Sequence, residues 1–462
     1  MSFARLFRPP WLFGLLFVLS LPAVTTRLYA SDEIEYFAWL RSWAFDRDVD
    51  FENEYQYFYD TGVADDPLFH ETFLERVNAN GRRENFAPVG TAVLWAPFYL
   101  GGHLVALATG APADGFSRPY VAAVTYGSAV YGLLAVVLTL AIVRRVMPAG
   151  ILPSLAVWFG TPLLFYMYVA PGFSHACSAF GVSLFIWTWL RVRAHWTVTG
   201  SVFLGLAGAV MGMVREQDLL FVAGPALDFA RTFLLRRRAA APAPGAGWWA
   251  AAAGTVALIA GYLPQVLAYT ALNGRAGPTE VVSRKMTWWS PHFVSVLLSP
   301  DHGFFFWTPL AAVALVGLVW LAAGRLRGLP ADARWIGILA LVMFALQVYI
   351  TGAVESWTVA GAFGQRRFVA VTPLLVLGLA ALIHHAASKP RSLRVGLGVL
   401  LALCVWWNLG LMAQFGLHTM DRQRLTLREN ARGVFIEIPG RLPSLVYRYL
   451  TDRASFYQVP RR

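Results

Sequence analysis

Charge is scarce in this chain of 462 residues. Only 14% of them are Asp, Glu, Lys or Arg, where a soluble domain carries about a quarter. With 57% hydrophobic residues and a mean hydropathy of +0.53, that excludes an ordinary soluble domain and points to a polytopic membrane protein. Lysine is almost missing: Lys285 and Lys389 are the only two. The net charge of +12 therefore comes from arginines, most of them in short loops between apolar runs. That distribution is a topology signal, not the basic patch of a nucleic-acid binder. Cysteine is equally rare, and Cys177 and Cys404 both lie in apolar segments, which leaves no disulfide framework and no CxxC metal site. No fixed-period repeat occurs. The one low-complexity piece, "RRRAAAPAPGAG" (236–247), reads as a flexible cytoplasmic linker.

A membrane span needs ~20 mostly apolar residues. Such runs lie near 10–30, 118–143, 150–169, 172–190, 196–214, 217–235, 248–271, 303–323, 334–352, 368–386 and 393–414. The first has the basic start and apolar run of a signal peptide, with a weak cleavage position at Ala30, and is read as an uncleaved span. A further run, 86–110, is long enough to cross but carries an internal proline and a glycine pair. If it does not cross, Arg5/Arg8, Arg144/Arg145, Arg191/Arg193, Arg231 with Arg236–Arg238, Arg325/Arg327/Arg334 and Lys389/Arg391/Arg394 all face the cytoplasm, as the positive-inside rule requires. Residues 86–110 are therefore read as juxtamembrane or re-entrant, in an all-α bundle of about 11 spans (11–13). The arginine-rich polar tail, 415–462, then faces outward and is the discordant segment.

This topology makes 31–85 an outward loop of 55 residues holding 14 of the 26 acids against five arginines. It opens with "SDEIEYFAWLRSW" (31–43), in which Asp32, Glu35/Tyr36, Trp39 and Trp43 share one helical face. Trp and Tyr favour the membrane interface, so a helix here is expected on the membrane surface. Asp32 with Glu35 three positions on also fits a capping box. In "DRDVDFENE" (46–54) acids alternate like the start of a calcium loop, but Phe51 and Tyr57 stand where glycine and the bidentate glutamate belong. A polar strand or extended loop is the preferred reading there, with a divalent ion held open.

The order of these pieces resembles bacterial GT-C glycosyltransferases, the superfamily of lipid-A aminoarabinose transferases and protein O-mannosyltransferases. The resemblance rests on one apolar span, "SDEIEY" with an aromatic helix, "DVDFENEY" (48–55) and "NFAPVGTAVLWAPFYLGGH" (85–103), with "SPDHGFFFWTP" (299–309) and "WTVAGAFGQRRF" (357–368) later. It implies a transmembrane catalytic domain over 1–414, with an outward first loop and its juxtamembrane segments at 31–110. It further implies a catalytic acid at Asp32 or Glu33, a polyprenyl-phosphate sugar as donor, and transfer at the outer face of a bacterial inner membrane. No folded lumenal domain is appended, which leaves the class of hydroxyl acceptor (glycolipid, polysaccharide or protein) open.

The residues are compatible with that chemistry. A carboxylate that takes the proton of an attacking hydroxyl contributes about 10²–10⁴-fold, and a phosphate leaves as a stable anion without a second carboxyl group. A cationic clamp for the phosphate is expected among Arg215, Arg284 and Lys285, and Arg366 and Arg367, with Asp301 and His302 able to orient a phosphate or a sugar hydroxyl. Each has a plainer reading: Arg215 as a turn ion pair with Glu216 or Asp218, Arg366/Arg367 as headgroup anchors, and His302 and His175 as hydrogen-bonded structural histidines. A transporter or flippase for lipid-linked sugars, or a polymerase or ligase, shares the same donor. The first would carry ionisable residues inside its spans or paired broken helices, and the second a large outward loop late in the chain.

Overall fold

The computed structural model describes residues 10–238 and 247–456. The basic start (1–9), most of the proposed linker (239–246) and 457–462 lie outside the described residues. Among those described the chain is helical and forms no strand, with isolated bridge residues such as the pair Val77 and Arg83.

Among the described residues six helices are, by length and composition, long and apolar enough to cross a membrane: Gly90–Thr109, Arg118–Val146, Gly247–Asn273, Ala333–Gly352, Arg366–Ala387 and Arg391–Gly416. Trp11–Ala23, Val198–Val214 and Pro309–Ala322 are apolar but shorter. Proline divides two of the apolar runs, because it disfavours helical geometry in the residue before it. Thr161, ahead of Pro162, is extended, so the run 150–169 divides into Leu152–Gly160 and Leu163–Tyr168. Thr308, ahead of Pro309, also leaves the helical region, dividing 303–323 into Phe304–Trp307 and Pro309–Ala322. The run 217–235 opens as a 3₁₀ helix, Glu216–Val222, before Ala223–Arg238.

The described chain forms two compact units. One comprises 10–145 and Tyr166–Met286. In it Val198–Val214 packs along Gly247–Asn273 on small residues: a Cβ on Gly205 would fall 2.1 Å from the Gly254 carbonyl oxygen. Such close backbone approach is how helices associate where lipid supplies no hydrophobic drive. The acidic loop is folded within this unit. Ser31–Arg41 is buried from Glu33 to Leu40, and its Phe37 and Trp39 pack with Phe51, Tyr55, Phe58, Phe69 and Phe73 and with Trp95 and Tyr99 of Gly90–Thr109. The aromatic face expected on the membrane surface is thus interior: Trp39 is fully buried and its indole N–H donates to the Ala87 carbonyl (2.9 Å). Residues 46–54 are a turn leading into the helix Glu52–Asp60, not a strand. Segment 86–110, expected to be juxtamembrane or re-entrant, contains one unbroken helix of 20 residues with Pro97 inside it.

The other unit comprises Val146–Phe165 and the chain from Thr287 onward. Its central pair, Pro309–Ala322 and Thr372–Ala387, is equally close: a Cβ on Gly317 would meet the Gly378 carbonyl oxygen at 2.0 Å. The expected polar tail is helical, with Leu427–Arg432, a π-turn at Gly433–Glu437 and the helix Ile438–Thr451.

Candidate functional site

The register of the first loop helix decides what its acids do. Ala30 caps Ser31–Arg41, so Asp32 is the second helical residue and Glu33 the third. Glu33, not Asp32 with Glu35, closes the helix start: its Oε2 accepts the backbone N–H of Tyr29 (2.8 Å) and of Ala30 (3.2 Å), the reach-back half of a capping box. Glu33 is fully buried, and burial pushes its carboxyl up to about 8 against those bonds. Its Oε1 lies where a Cβ on Gly172 would stand 2.7 Å away, so the cradle fits only glycine. Glu35 is committed too, with Oε1 accepting the Phe86 N–H (2.6 Å) while the Asn85 side chain donates to the Glu35 carbonyl (3.0 Å). Of the three opening acids, Asp32 alone is partly exposed.

One turn along, the Tyr36 hydroxyl donates to Ser174 Oγ (2.9 Å). Burial raises this hydroxyl to about 12; the Arg215 charge opposes the shift and the Asp32 charge adds to it, so both lie within electrostatic reach of one hydroxyl. Arg215 follows the last residue of Val198–Val214. Its Nη1 donates to Ser174 Oγ (3.3 Å) and His175 Nδ1 (3.0 Å), and its Nη2 to Gln217 Oε1 (3.3 Å). A guanidinium only donates, so His175 Nδ1 accepts and the imidazole proton sits on Nε2.

The turn ion pair expected for Arg215 does not form. Glu216 accepts instead from the Tyr262 hydroxyl (2.9 Å), and the Asp218 carboxylate accepts from Ser178 Oγ (2.6 Å). Among the described residues, every hydrogen-bond partner of the half-buried Arg215 guanidinium is a neutral hydroxyl, imidazole or amide. A cation so held keeps its charge for an anion, and its planar fork suits phosphate.

Tertiary packing positions this cluster. Gly90 abuts the backbone of Met213 and Val214, where a Cβ would come within 2.3 Å. The Val89 N–H donates to Gln265 Oε1 (2.9 Å). The "NFAPVG" stretch is therefore a strap that ties the Asp32 helix on one side and the Arg215 turn on the other. Ser174 and Gln217 carried no sequence signal, and His175 was expected only as a hydrogen-bonded structural histidine.

The other expected residues have different surroundings. Lys285 belongs to the same unit but is exposed at the end of the short helix Glu280–Arg284, where Arg284 pairs with Glu280 (2.8 Å). His302, Arg366 and Arg367 belong to the second unit. His302 is buried with φ +64°, stacks on Trp307 at 4.6 Å between ring centres, and uses Nε2 on the Ala362 carbonyl (2.7 Å). Burial lowers its pKa. Gln365 donates to the carbonyls of His302 (3.2 Å) and Trp357 (2.9 Å), which clasps the two outward motifs together. Arg367 donates to the Ser356 carbonyl (2.9 Å), and Arg366 opens the 3₁₀ turn Arg366–Val371. The alternating acids at 46–54 serve turns and ion pairs: Asp48 accepts from Ser42 Oγ (2.9 Å), Asp50 from the Glu52 N–H (3.3 Å), and Arg41 bridges Asp46 and Glu54. Among the described residues no three His, Cys, Asp or Glu side chains gather to hold a metal ion.

Comparison with protein-family models yields no match, and comparison with curated proteins yields none either.

Proposed function

We propose that this chain is a membrane glycosyltransferase of GT-C type. It would transfer a sugar from a polyprenyl-phosphate donor to a hydroxyl acceptor at the outer face of a bacterial inner membrane, within a bundle of about eleven spans. The observation that carries the reading is the Arg215 guanidinium, cradled by neutral acceptors, with Asp32 acting on the same Tyr36 hydroxyl. That is one carboxylate and one cation, the cation also facing the buried Asp218 carboxyl, which is the minimum for this reaction.

In the proposed step Asp32 takes the acceptor's proton while the acceptor oxygen forms its bond to the anomeric carbon. The bond from that carbon to the phosphate oxygen breaks, and the electron pair leaves with the phosphate, held by Arg215. A single displacement inverts the anomeric centre. Glu33 suits the role of base less well, because its Oε2 is taken up by two backbone N–H groups at the helix start. Arg366, Arg367, Lys285 and His302 stay outside the minimal mechanism, as does any divalent metal.

A transporter of lipid-linked sugars is the alternative. None of the six membrane-length helices contains an Asp or Glu, which disfavours ion-coupled transport. The deciding experiment is a polyprenyl-phosphate-sugar transfer assay on reconstituted protein. Asp32→Asn should lose at least about 10²-fold of the activity with unchanged thermal unfolding, since Asp32 is not the cap. Full activity in that variant overturns the base assignment, and translocation without transfer selects the transporter.

A further inference from the structure

We propose that the tail helix docks in the membrane interface and binds a surface of anionic lipid. Residues 415–462 carry nine arginines against four acids. From Gly433 to Thr451 the backbone is continuously helical, and Phe435, Leu442, Val446 and Leu450 recur at four- to seven-residue spacing along one stripe, widened by Ile436 and Tyr447. All six are exposed, Leu450 at 76% and Tyr447 at 70%. Ile438, between Phe435 and Leu442 near the start of that stripe, is buried. A stripe of exposed apolar side chains on an arginine-rich helix is the pattern of an element lying in the interface plane.

The docking point says what covers the stripe. The helix Arg391–Gly416 is apolar and long enough to cross a membrane, and it exposes Leu393, Val395, Val399, Leu400 and Leu403. Its exposed side ends at Leu403, and the tail packs on the next turns. Trp406 donates to the Val434 carbonyl (3.0 Å), Trp407 faces Phe435 (6.2 Å between ring centres), and Val434 fills the space that a side chain on Gly410 would need. Trp406 and Trp407 stand where the exposed apolar band of this helix gives way to the tail. The tail helix therefore starts at the end of that band. Its stripe faces the acyl boundary, while Arg428 and Arg441, both exposed, lie on the helical tail within reach of lipid phosphates.

The test uses the full chain in lipid nanodiscs with a fluorophore at Leu450→Cys or, on the polar side, at Ser444→Cys. The two native cysteines are buried and stay unlabelled. Nitroxide-bearing lipid should quench the 450 label and aqueous iodide the 444 label. The contrast should grow when phosphatidylglycerol replaces part of the phosphatidylcholine. Arg428→Gln and Arg441→Gln should each reduce that anionic preference by roughly fivefold. Equal iodide quenching at both positions overturns the proposal, as does protection of the 450 label that follows protein concentration in detergent, which would make the occupant a second copy of the chain.

Discussion

Glu33 and Arg215 show how burial and partners assign roles to single residues. Glu33 has a folded pKa of about 8 against 4.5 for the free side chain, so between those values the native state holds a proton that the unfolded chain has released. Its contribution to stability is full below about pH 4.5 and is lost as pH rises through about 8. Unfolding temperature should therefore fall from pH 5 to pH 8.5, and Glu33→Gln should fall by less over the same range. Equal slopes in the two proteins would place the Glu33 carboxyl in water. For Arg215 the expected loss is in donor binding. Arg215→Lys keeps the charge but not the planar fork, and KM for the polyprenyl-phosphate sugar should rise about 10–100-fold. Unfolding temperature should fall modestly in this variant, because Ser174 and His175 are buried and lose the guanidinium N–H that they share.

At the scale of elements, backbone contact between helices is the sensitive feature. Gly378→Val would drive two methyl groups into the Ala314 carbonyl, already 2.1 Å from a single added Cβ, and should destabilise the chain by about 1–3 kcal/mol. Gly398→Ala in the Arg391–Gly416 helix meets nothing within 4 Å; it should be neutral or stabilising by up to about 1 kcal/mol. Thermal unfolding of the two variants in one detergent separates these outcomes. Element boundaries were partly legible. Pro162 and Pro309 mark where two apolar runs break, since Thr161 and Thr308 precede them, yet hydropathy windows pass over both. The strap at 85–90 could be seen as a motif, but its partners Glu35, Gln265 and Val214 are far along the chain and only packing brings them in.

Over the whole molecule, the path of Gly90–Thr109 sets the side of every later loop. Its two ends meet the same acidic loop. Ahead of it, Phe86 and Ala87 bond to Glu35 and Trp39; beyond it, Phe116 stacks on Tyr57 (4.1 Å) beneath Arg41 (4.5 Å), and Tyr99 donates to the Gly115 carbonyl (2.9 Å). A crossing helix would carry 111–117 to the opposite face from that loop. Cysteines at Asn80 and Asp114 should therefore react with a membrane-impermeant thiol reagent from the same side of sealed vesicles. Labelling from opposite sides would make the helix a span and turn every later loop over.

Composition alone determined that the chain is helical and rich in membrane-length apolar segments, because scarce charge and long apolar runs leave the backbone no other way to satisfy its hydrogen bonds in lipid. The position of the acids in one loop, with Asp32 and Glu33 as candidates at its start, was also in the sequence. Tertiary structure decided the rest. Whether a carboxylate caps a helix, pairs with an arginine or stands ready for a proton depends on which donors reach it, and those donors come from Tyr29 and Ala30, Phe86 and Arg41. Likewise the hydrogen bonds of Arg215 go to neutral groups because Tyr262 and Ser178 donate to the two acids beside it, while its charge still acts on the buried Asp218, a competition between distant residues that no local spacing encodes.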